Sequence, residues 1–128
     1  SAKMSIPYAT AVALVHGKAG IEDFSETSVK DEKILALTKK INVEPDEELS
    51  KAFPKLQTSI VSITKKDGTA LSKRIDYPKG EPQNPLNEKE FKERFDELMR
   101  YAHQPHGDKI FQMVYAKGTR VREITELI

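Results

Sequence analysis

The pattern His103-x-x-His106, with Asp108 close behind, is where metal chemistry would first be sought. Two imidazoles and a carboxylate can hold zinc when one helix face aims them together. Pro105 and Gly107 interrupt any such helix, so the segment reads as a polar linker and no metal site is expected. His16 stands beside Gly17, where the C-terminal end of a helix dipole favours a cation, and capping accounts for it. Glu22–Asp23 and Glu47–Glu48 are paired acids in loop-like sequence, with nothing nearby to make an apolar pocket that would raise a carboxyl pKa. There is no cysteine, no G-x-S-x-G elbow and no phosphate-binding glycine loop. Spacing alone therefore places no catalytic set within this chain.

Tyr8 is the residue of most interest. It falls in the first turn of a helix, where unpaired backbone N–H groups attract anions, and Lys3 and Ser5 lie just before it. Together Lys3, Ser5 and Tyr8 could hold a carboxylate at the edge of a cleft. The alternative is a core tyrosine whose hydroxyl finds a protein acceptor.

The element that must position these residues is "SIPYATAVALV", uncharged from Ser5 to Val15. Ser5 can cap it, Pro7 fits its first turn, and Gly17 can stop it. Apolar residues fall all round it, which predicts an interior helix buried on most sides. Ser28 reads as the cap of a second helix, from Val29 to about Lys40, and "INVEPDEEL" as a short extended segment broken by Pro45. Ile60, Val61 and Ile63, then Leu71, Ile75 and Tyr77, alternate around Asp67–Gly68, which predicts a hairpin. Asn87 and Glu90 suggest a capping box before Phe91, Phe95, Leu98 and Ala102. Two shorter helices follow, from Asp108 to Lys117 and, capped by Thr119, to the C-terminus. The expected class is α+β: a small antiparallel sheet, the hairpin plus a possible third strand, packed against helices, with a helical C-terminal tail.

A chain of 128 residues allows one modest core. With 21 basic and 20 acidic residues, its net charge of +1 gives no general attraction for nucleic acid or anionic membranes. No stretch is apolar for the roughly 20 residues needed to span a bilayer.

"AKMSIPYATAVALVHGKAGIEDF" resembles the C-terminal region of the MmgE/PrpD family, whose K-x-S-x-P-Y segment leads into an Ala-rich helix and a Gly-containing turn. The likeness continues through "DEKILALTKKINVEPD", "FPKLQTSIVSITKKDGT", the connector within "YPKGEPQNPLNEKEFKERFDEL", and "VREITELI". The family includes 2-methylcitrate dehydratase, cis-aconitate decarboxylase and iminodisuccinate epimerase, which act on small di- and tricarboxylates without a required cofactor or metal. The resemblance implies the C-terminal lid portion of a dehydratase-like lyase, cytoplasmic, and inactive alone. Its catalytic residues would lie in a missing N-terminal helical domain. Residues 1–86 would form a lid-like α+β domain, and residues 87–128 helices that return to that partner. Lys3, Ser5 and Tyr8 would face the carboxylate substrate. Two further expectations are self-association of the isolated chain through its apolar tail and, as an alternative function, a freestanding non-catalytic binding or assembly module.

Overall fold

Helix α1 runs from Ile6 to His16, with the ends that its sequence specifies. The Ser5 hydroxyl accepts from the Tyr8 N–H at 3.3 Å, Pro7 lies in the first turn, and Gly17 at φ 77° turns the chain out. A left-handed residue there needs glycine, because a Cβ would be strained. The computed structural model describes residues 5–128, so Lys3 lies outside the described residues.

The expected burial of α1 on most sides is not what forms. Tyr8, Ala11 and Val12 are buried, but Ile6, Leu14 and Val15 are 62%, 46% and 43% exposed. Among the described residues, one helix is its chief packing partner. Helix α2, Glu32–Thr38, contributes the fully buried Ile34, and Phe24, Val29, Leu37 and Ile41 close round this cluster. One neighbour can cover only one stripe of a helix.

Helix α2 starts later than expected. Ser28–Lys30 is a separate 3-10 turn, in which the Ser28 hydroxyl donates to the Glu22 carbonyl at 2.9 Å. Extended backbone at Asp31 breaks the chain there, and its carboxylate caps α2 by accepting from the Lys33 and Ile34 N–H groups. A charged acceptor at a helix N-terminus is the stronger cap.

The chain forms two compact units, one from residues up to Val43 together with Glu88–Ile128, and one from Glu44–Asn87.

In the first unit, α4 spans Glu88–Tyr101 and α5 spans Gly107–Tyr115. Phe111 of α5 packs on Phe95 and Phe91, with ring centroids 5.3 and 6.0 Å apart. Gly107 is buried against Met99, whose carbons lie 3.0–3.1 Å from where a Cβ would stand. Lys92 ties the same helices. Its Nζ donates to both Asp96 oxygens, at 2.6 and 2.7 Å, and to Asp108 at 2.8 Å, above the Phe111 ring. The bonds to Asp108 and then Asp96 hold the Lys92 pKa above its ordinary value. Between the helices, His103 adopts φ 52°, the Gln104 N–H reaches the Met99 carbonyl, and the His103 N–H reaches that of Arg100. This is a Schellman ending with histidine in the usual glycine position. The last helix, α6, is Val121–Thr125. It is bounded by Arg120, whose N–H donates to Glu123, rather than by the expected Thr119 cap.

The second unit contains α3, Glu47–Ala52, and the antiparallel strands β1, Ser59–Thr64, and β2, Ala70–Ile75. The sequence reading missed α3. Pro45 interrupts the extended segment, and Asp46 right after it caps the helix by accepting from the Glu48 and Leu49 N–H groups. Among the described residues the possible third strand does not form: the sheet has two strands, and residues 41–46 pair with neither. Ser59 faces Ile75, Val61 faces Lys73 and Ile63 faces Leu71. Gly68, at φ 85°, closes the loop, with its N–H on the Lys65 carbonyl. Tyr77 falls beyond β2. Every residue of this unit is at least partly exposed. The whole is an α+β fold of short helices and one hairpin.

Candidate functional site

In the first turn of α1, Pro7 has no N–H, the Tyr8 N–H is taken by the Ser5 hydroxyl and the Ala9 N–H by the Ser5 carbonyl; the turn itself holds no acid, but Asp23 and Asp31 lie close enough to act on Tyr8. Of the three residues singled out from the sequence, the structure brings two together here. The Ser5 hydroxyl, half-buried, caps the turn at the Tyr8 N–H. The Tyr8 side chain points inward, 4% exposed, with its ring edge against Phe24 at 5.6 Å. Its hydroxyl donates to the Asp23 carbonyl at 2.7 Å. Burial, followed by the negative charges of Asp23 and Asp31, pushes the Tyr8 pKa above 10.0. The phenol is thus neutral and committed as a donor. Toward an incoming carboxylate it has only acceptor capacity until that bond opens.

Asp23 is the residue that sequence reasoning missed. One carboxylate oxygen accepts from His16 Nδ1 at 2.7 Å and the other from the Gly20 N–H at 2.7 Å, while its carbonyl holds Tyr8. It fastens the end of α1 to the loop after it. His16 is therefore held by a side chain as well as placed at a helix end. No local spacing announces these contacts, since Asp23 reaches Tyr8 across fifteen residues.

A second concavity, of about 550 Å³, opens beside α4 and α5. Lys18 and Arg100 face Glu93, Asp96 and Asp108 across it. With acids outnumbering bases, it does not favour an anionic ligand. No group of three or more His, Cys, Asp or Glu able to hold a metal ion occurs among the described residues, His103, His106 and Asp108 included. No helix among them is long and apolar enough to cross a membrane.

Comparison with known proteins matches the chain to the family model of the MmgE/PrpD C-terminal domain over residues 1–117. The curated proteins and the solved structures gave no match. The match begins with the segment that leads into α1 and extends through α5, so it takes in both compact units. The chain belongs to the MmgE/PrpD family, and residues 1–117 are its C-terminal domain.

Proposed function

We propose that this chain is the C-terminal lid portion of a dehydratase-like lyase that acts on a small di- or tricarboxylate of the 2-methylcitrate type. The observation that carries this reading is the family match over residues 1–117. The reaction is proton abstraction next to a carboxylate, with loss of water. The base comes from an N-terminal helical domain outside this chain, in keeping with the lack of a base and nucleophile pairing at the α1 turn. Neither metal nor cofactor enters the reaction, and the enzyme works in the cytoplasm.

The contribution of this chain is to bind and to cover. A carboxylate at the α1 N-terminus meets the positive end of the helix dipole, in a turn that itself holds no acid. Ser5 stands at that end, and Lys3 adds a cation. Tyr8 takes part once its hydroxyl is released from Asp23, so substrate binding and the Tyr8–Asp23 bond compete.

The test is Tyr8→Phe in the enzyme that carries both domains. The expected outcome is lowered turnover with the fold retained. A variant that loses stability but keeps wild-type kinetics would leave Tyr8 as a core residue and remove it from the site.

A further inference from the structure

Strand β1 is "SIVSIT", six residues without a charge, glycine or proline, and rich in β-branched side chains. Among the described residues it has one neighbour, β2, and its other edge pairs with none of them. Such an edge is a template for another strand unless something blunts it. The outer edge of β2 is blunted by Lys73 and Arg74 in succession, and β1 has no equivalent.

The hydrogen-bond phase fixes what the free edge offers. The Lys65 N–H donates to the Thr69 carbonyl, so in this register Ser59, Val61 and Ile63 turn their backbone groups toward β2. Ile60, Ser62 and Thr64 turn theirs outward. Val61, Ile63, Leu71 and Ile75, with Lys73, line one face of the hairpin, an open groove of about 450 Å³. No residue of this unit is buried to support that face, and a two-stranded hairpin alone is marginal in water.

We infer that the outer edge of β1 pairs antiparallel with β1 of a second copy, about a two-fold axis through Ser62. The strand is self-complementary in this register. Ser62 would exchange both backbone bonds with its own copy, and Ile60 would do so with Thr64. Val61 would lie opposite Ile63 on the aliphatic face, an apolar pair repeated on both sides of the axis. The result is a four-stranded sheet with the cationic β2 strands outermost, where they block further growth. A net charge of +1 per copy puts little electrostatic repulsion in the way. The occupant is thus this chain itself, joined through its hairpin rather than through its C-terminal helices.

The test is sedimentation velocity of the 128-residue chain from micromolar to millimolar concentration. A monomer–dimer equilibrium is expected. Ser62→Glu puts two like charges face to face across the axis and should weaken the dimer about fivefold. Ser72→Glu breaks the same Ser62–Ser72 hydroxyl contact, away from the axis, and should leave association unchanged. Because the chain has no cysteine, Ser62→Cys should form a disulfide-linked dimer on oxidation, as its two Cα atoms would lie about 5.5 Å apart. Ser72→Cys should not. A chain that stays monomeric throughout, a dimer that treats the two Glu variants alike, or equal crosslinking of the two Cys variants would each overturn the inference.

Discussion

Tyr8 shows how one side chain can be read two ways and why measurement must separate them. Its hydroxyl bond to Asp23 is worth about 1 kcal/mol to the fold, so Tyr8→Phe should lower the unfolding free energy by that amount in a denaturant titration. The buried phenol stabilises the fold while it is neutral. That stabilisation is complete below pH 10.0 and is lost as the pH rises through the higher folded value, so Tyr8→Phe should also blunt alkaline unfolding. The hairpin carries the opposite sign. Thr58 and then Arg74 hold the Asp76 carboxyl below its ordinary 3.8, and the Thr69 N–H does the same for Asp67. Their contribution is full at neutral pH and fades as the pH falls through the folded values. The protection of β1 and β2 amides, corrected for the intrinsic slowing of exchange in acid, should therefore fall as the pH falls, and Asp76→Asn should remove part of that dependence. His103 pays for its left-handed backbone, so His103→Gly should stabilise the chain by about 1 kcal/mol, read as a rise in Tm.

At the scale of elements, what was legible in the sequence was local. Ser5, Pro7 and Gly17 specify α1 because a cap acts within four residues of itself, and Asp67–Gly68 with alternating aliphatics specifies the hairpin for the same reason. Where two local signals competed, the outcome turned on backbone geometry that spacing does not carry. Ser28 and Asp31 are both good caps, and the extended backbone at Asp31 selects it. Asp31→Ala should accordingly destabilise the chain by about 1 kcal/mol and reduce helical circular dichroism, with Ser28→Ala the milder change. Asp46 was hidden behind Pro45 in the same way. The Tyr8–Asp23–His16 set was invisible because the loop between Gly17 and Phe24 has no periodicity to place Asp23 under α1. Composition showed that α1 is apolar all round. It could not show that one helix would be its chief packing partner, leaving Leu14 and Val15 in solvent.

For the whole molecule, the described residues hold few buried apolar side chains, and those of α1 and α2 centre on Ile34. A small core makes each member count, so Ile34→Ala should cost about 3 kcal/mol and bring the chain near unfolding at ambient temperature. The role proposed for this chain is that of a cover that binds substrate beside another domain's reactive groups. The family match gives that description its context, and the order of motifs had already pointed there. The most direct test is the rate of water loss from 2-methylcitrate, followed by absorbance of the unsaturated product, with the 128-residue chain alone and joined to a helical domain of the family. The account predicts turnover only in the joined protein. Turnover by the chain alone at an ordinary enzymatic rate would contradict it.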